Sequence, residues 1–74
     1  MRYREVAKKL RDLGCLETGT SRKSGGSHRK WYNPNQSPIV VVSVPDWASK
    51  DLKTGTLRSI VKDLGFDWDE FTRA

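Results

Sequence analysis

Along the first thirteen residues, Tyr3, Val6, Ala7, Leu10 and Leu13 recur at intervals of three and four, with Arg4, Glu5, Lys8, Lys9, Arg11 and Asp12 between them. That period puts the apolar groups on one stripe of a helix and the charges on the other, and Gly14 ends it as a left-handed cap. From Cys15 to Val44 the period changes. Thr, Val, Ile, Trp and Tyr become frequent and Gly and Pro punctuate short runs, which predicts three strands near residues 15–21, 28–33 and 38–44. A polar Gly-Gly loop joins the first two strands, and Asn33-Pro34-Asn35-Gln36 joins the second and third. Strand alternation puts His28, Lys30 and Tyr32 on one face and Arg29 and Trp31 on the other. Trp31, the largest apolar group, should face the helices, which leaves His28 on an open face. Ile39, Val40, Val41 and Val42 are apolar at consecutive positions, the pattern of a strand that is central or covered on both sides. Pro45 reads as the stop of that strand, with a connecting loop over residues 46–53.

A second helix follows. Thr54 can cap it, and Leu57, Ile60, Val61 and Leu64 form an i, i+3, i+4, i+7 stripe that ends at Gly65. Asp67 and Glu70 then stand as a capping-box pair, with Phe66 and Phe71 at the two staple positions, so a closing helical turn is expected. The order is α-β-β-β-α in the α+β class. Both helices need somewhere to bury a stripe and the sheet needs one face covered. Two helices packed on one face of a three-stranded antiparallel sheet meet both needs, an order shared with double-stranded RNA-binding domains.

Length and charge narrow the function. At 74 residues the chain, residues 1–74, is read as one domain, because it buries too little apolar surface for two cores. The net charge of +5 is unevenly placed: residues 1–32 hold nine Lys/Arg against three acids, and residues 33–74 hold five against six. The basic half coincides with the histidine segment, which favours a polyanionic ligand, although an acidic protein partner would read the same way. Cys15 is the single cysteine, so no internal disulfide forms and a cytoplasmic location is expected. Its place after a helix stop suggests packing rather than thiol chemistry. The longest apolar run, Ile39 to Val42, is too short to span a membrane, and no signal-peptide stretch opens the chain.

The chemistry centres on His28, the one histidine, in Ser24-Gly25-Gly26-Ser27-His28-Arg29-Lys30-Trp31 with Arg22 and Lys23 just before it. An imidazole among fixed cations suits proton transfer on a phosphodiester. RNA supplies its own nucleophile, the 2′-hydroxyl, so such a site needs only one base, a cationic stabiliser and a groove. In the simplest scheme His28 takes the 2′-hydroxyl proton, and Arg29, Lys30 or Lys23 stabilises the charge that builds on phosphorus. Arg22, Lys23, Ser27, Arg29, Lys30, Tyr32 and Trp47 are the expected RNA contacts. No metal or small-molecule cofactor is required. Metal-dependent nucleases bring clustered carboxylates, whereas the nearest acids, Glu17 and Asp46, stand apart in sequence. Gly25 and Gly26 could let backbone amides approach a phosphate or could simply form the turn.

Several segments together resemble the HicA, or YcfA-like, family of bacterial toxin ribonucleases. They are Gly26-Ser27-His28 with Trp31 three residues on, Val44-Pro45 after a β run, and Lys53-Thr54-Gly55-Thr56-Leu57-Arg58-Ser59-Ile60 opening the last long helix. The resemblance covers nearly the whole chain in the same order. It implies a double-stranded-RNA-binding-domain-like fold, a metal-independent endoribonuclease acting on mRNA and related cellular RNA, His28 in the place of the catalytic histidine, and a HicB-like antitoxin as partner. One departure matters. Many members of the family carry a second histidine just after the Val-Pro, where this chain has Trp47. The leaving oxygen would then take its proton from water or a lysine, which implies a slow enzyme. Trp47 could stack on a base, bury part of an antitoxin interface, or fold against the sheet edge. The rival reading from another class is a non-catalytic RNA-binding module in which His28 is one more contact, and a third is a protein-interaction domain whose basic face never meets RNA alone.

Overall fold

The structure, a computed structural model, describes the chain apart from residues 24–25 and 48–49, with the side chains of residues 21–26 also outside the description. Its elements run α1 (Tyr3–Asp12), β1 (Leu16–Lys23), β2 (Gly26–Tyr32), β3 (Val41–Asp46), α2 (Thr54–Asp63) and α3 (Trp68–Arg73). The strands form one antiparallel sheet in the order β1-β2-β3.

The period-3.6 stripes do what their spacing demands. Val6, Ala7 and Leu10 of α1 and Leu57, Ile60 and Val61 of α2 are buried together with Trp31, Val42 and Val44 from one face of the sheet. Helices therefore cover that face, the expected α-β-β-β-α architecture. Gly14 and Gly65 take φ of +89° and +85°, the left-handed caps that end the two stripes. Asp67 and Glu70 form the capping box of α3, with the Asp67 backbone N–H donating to Glu70 Oε1 at 3.1 Å. The closing turn is thus a third short helix, and Phe71 brings a fully buried ring to the core. Cys15 is buried at the entry to β1, and burial pushes its thiol up to about 11. A thiol in that state is a small apolar filler and not a nucleophile at neutral pH.

Five expectations need correction. The strand after the second loop begins at Val41, so Ile39 and Val40 precede it and are exposed. It is an edge strand with Val42 and Val44 buried on one face, Val41 and Ser43 exposed on the other, and Pro45 buried near its end. The run of consecutive apolar residues therefore does not mark a central strand. Pro45 does not stop it either: β3 continues to Asp46, because an edge strand has outward positions where a missing N–H loses no ladder bond. Thr54 is the first residue of α2 rather than its cap; Lys53 holds the cap position in extended backbone without a side-chain bond. The strands of the first hairpin also reach further than expected, to Lys23 and from Gly26, which pair with each other. Gly26 is therefore a ladder residue, and Gly25 lies outside the described residues.

The Asn33–Gln36 connection does more than turn. Asn33 is buried and donates from Nδ2 to the Leu64 carbonyl at 2.9 Å, and Gln36 Nε2 donates to the Asp63 carbonyl at 2.8 Å. Two carbonyls left open at the end of α2 are thereby satisfied by the β2–β3 loop. The loop also fixes the helix against the sheet.

Candidate active site

Strand register sorts the residues of the histidine segment onto two faces. Opposite partners share a face, so three rows cross the open side. His28 and the buried Pro45 form one row, Gly19, Lys30 and Ser43 the next, and Leu16, Tyr32 and Val41 the last. His28 and Lys30 are two residues apart on the central strand, which spaces their Cα atoms about 7 Å apart, close to the span of one nucleotide unit. His28 and Tyr32 are half-buried and Lys30 is exposed. Among the described residues no ion pair involves Lys30. The lower row is apolar, with Leu16 and Val41 exposed beside Tyr32 and with Ile39 and Val40 exposed just before β3.

The covered side holds the other half of the segment. Ser27, Arg29 and Trp31 pair with Asp46, Val44 and Val42 respectively. Trp31 is buried, and its Nε1–H donates to the Tyr3 hydroxyl at 3.0 Å. Arg29 donates from Nε to Asp46 Oδ2 at 2.9 Å and from an Nη to Glu17 Oε2 at 3.2 Å, and its guanidinium stands 5.7 Å from the centre of the Tyr3 ring. Asp46 first and Glu17 second raise the Arg29 pKa, so its charge is firmly held. Burial raises the Tyr3 hydroxyl pKa, which keeps that ring neutral.

Of the eight residues singled out from sequence, the fold brings His28, Lys30 and Tyr32 together on the open face. Ser27 and Arg29 are on the opposite one. Trp47 follows the end of β3 and is partly exposed, two residues beyond the Pro45 that faces His28. Arg22 and Lys23 contribute backbone to β1, and their side chains lie outside the described residues. Sequence reasoning missed the meeting of Glu17 and Asp46. They stand far apart along the chain but converge on one guanidinium, because β1 and β3 flank β2 on either side. The signal was an arginine in the middle of the middle strand, readable only once the register is known. No group of three potential metal ligands occurs among the described residues.

A small α+β chain in the order α-β-β-β-α, with helices on one face of a three-stranded antiparallel sheet, has the build of the double-stranded-RNA-binding-domain-like fold. The profile of the family described as HicA toxin of bacterial toxin-antitoxin matches residues 3–66, and the chain belongs to that family. Among solved structures it is similar to a chain of a HicA3 and HicB3 toxin-antitoxin complex, at 29% identity and a TM-score of 0.63. That match covers 92% of this chain and 98% of the other. Among curated proteins, none matches the sequence at a significant level.

Proposed function

We propose that this toxin is a metal-independent endoribonuclease acting on mRNA and related cellular RNA, with His28 as general base. The observation that carries the reading is the placement of His28 on the sheet face away from the helices, beside the exposed Lys30. His28 accepts the proton of a 2′-hydroxyl as that oxygen bonds to the adjacent phosphorus, and the bond from phosphorus to the 5′-oxygen breaks. Lys30 offsets the negative charge that builds on the phosphoryl oxygens. With Trp47 in place of a second histidine, the departing 5′-oxygen takes its proton from water. Tyr32 offers a ring on which a neighbouring base can stack, and Trp47 a second one near His28.

Control by a HicB-like antitoxin fits the same face. Leu16, Val41, Ile39 and Val40 are exposed aliphatic groups at one end of the sheet, the kind of surface a protein partner buries, and Lys30 in the adjoining row suits an acidic group on that partner. Coverage of His28 and Lys30 by such a partner would exclude RNA and neutralise the patch together.

The test is RNA cleavage by the purified protein in chelator, for the natural chain and for His28→Ala. Cleavage by the first and none by the second is the expected result. A stable shifted complex without cleavage would make the domain an RNA-binding module.

A further inference from the structure

Arg29 is adjacent to His28 in sequence and faces the other way. Its two carboxylate partners belong to different strands, Glu17 to β1 and Asp46 to β3, so one guanidinium ties all three strands together on the covered side. Both attachment points are places where a sheet is weak. Glu17 immediately precedes the irregularity between Glu17 and Gly19, where the register of β1 on β2 shifts. Asp46 is the last residue of an edge strand, just beyond the Pro45 that faces His28. The Tyr3 ring under the guanidinium, itself hydrogen-bonded by Trp31, connects the tie to α1 and the core. The Asp46 side chain is 19% exposed and that of Arg29 38%, so these bonds are partly shielded from water and salt.

We propose that Arg29 is a positioning residue for the ribonuclease site: by holding Asp46 and Glu17 it fixes the end of β3 and the start of β1 against β2, and so fixes His28 and the Pro45–Trp47 edge beside it. The proposal rests on the ribonuclease reading above. It divides the two neighbouring cations by task. Lys30 meets the phosphate, and Arg29, engaged by two carboxylates on the far face, meets none. In-line attack of a 2′-oxygen tolerates little displacement of the base, so loosening the strand that carries His28 lowers turnover without removing any RNA contact.

The test compares Arg29→Gln, Arg29→Lys, Asp46→Asn and Glu17→Gln with the natural chain. It measures kcat and KM on an RNA oligonucleotide, the salt dependence of RNA binding, and the NMR signals of the His28 ring in the protein without RNA. Arg29→Gln and Asp46→Asn should each lower kcat about 10- to 100-fold, with KM and the salt slope unchanged. The His28 ring signals should shift or broaden, and Arg29→Lys should restore part of the rate. Asp46→Asn discriminates by sign. If Arg29 were a phosphate contact, removing a neutralising carboxylate would tighten RNA binding and steepen its salt dependence, and that result overturns the proposal. A natural rate and natural His28 signals in Arg29→Gln would overturn it as well. Should Arg29→Gln fail to fold by circular dichroism, the two carboxamide variants, each removing the charge of one of the two partners, decide the matter on the same readouts. If the natural chain cleaves no RNA, the ribonuclease reading fails, while the His28 signals still report whether the tie holds the ring.

Discussion

The two faces of β2 show how one strand divides labour. Trp31 and Arg29 look toward the helices, where one is sealed in the core and the other is held by two acids. His28 and Lys30 alternate with them and look toward solvent, with Lys30 exposed and His28 half-buried. Adjacent residues of like charge, Arg29 and Lys30, thus meet opposite surroundings. A mutation on the open face should act on RNA directly, and one on the covered face on stability or, at Arg29, on the positioning of His28.

The sharpest separation is at His28. His28→Ala should lower RNA cleavage by about 10²- to 10⁴-fold, the range for losing a general base, and abolish growth inhibition on induced expression. Its circular dichroism spectrum should match that of the natural chain; a near-natural cleavage rate would remove His28 from the chemistry. On the covered face, Trp31→Ala should cost about 3–5 kcal/mol and Leu57→Ala about 2–5 kcal/mol in denaturant unfolding, since each deletes a side chain sealed in the core. In so small a domain either could exhaust the stability. If Trp31→Ala unfolded at the natural denaturant concentration, the division of faces would be wrong.

Cys15 tests the covered side by pH. Its folded pKa, about 11, is above its ordinary value of 9.0, so the unfolded chain loses the thiol proton first. The stabilisation from keeping that thiol neutral and buried is whole below about pH 9 and is lost as pH rises through 11, up to about 2–3 kcal/mol. Thermal melts between pH 8 and pH 11 should show this decline in the natural chain and a shallower one in Cys15→Ala.

Smaller effects belong to the open face. Lys30→Gln should leave stability within about 0.5 kcal/mol of the natural chain and reduce the slope of log affinity against log salt by about 0.7, the share of one phosphate contact on single-stranded RNA. An unchanged slope would move the contact elsewhere on the basic half of the chain. Smallest of all, Val41→Thr should change neither stability nor cleavage measurably, because Val41 is half exposed in the apolar row away from His28. A loss of cleavage there would extend the RNA path along the whole open face.

Much of this was legible from the chain alone, for a physical reason. The intervals of Val6, Ala7 and Leu10 and of Leu57, Ile60 and Val61 carry the helix period, and the left-handed backbone at Gly14 and Gly65 is a local demand that glycine meets best. Alternation around Trp31 likewise assigned His28 and Lys30 to the open face, because a strand has a period of two wherever it lies in a sheet. Each of these properties is written in residues a few positions apart. Tertiary structure decided the rest. Whether Ile39 to Val42 lay in the centre or at an edge depended on which strands came to flank it, and the answer placed Pro45 inside β3. The Asn33 and Gln36 bonds to the end of α2 depended on a loop meeting a helix roughly thirty residues away in sequence. Arg29 joins Glu17 and Asp46 across separations of 12 and 17 residues, fixed by the register of three strands. Local pattern encodes period and face. Partnership across the sheet arises only when the strands align, which is why His28 and Lys30 could be found from sequence and the clamp beneath them could not.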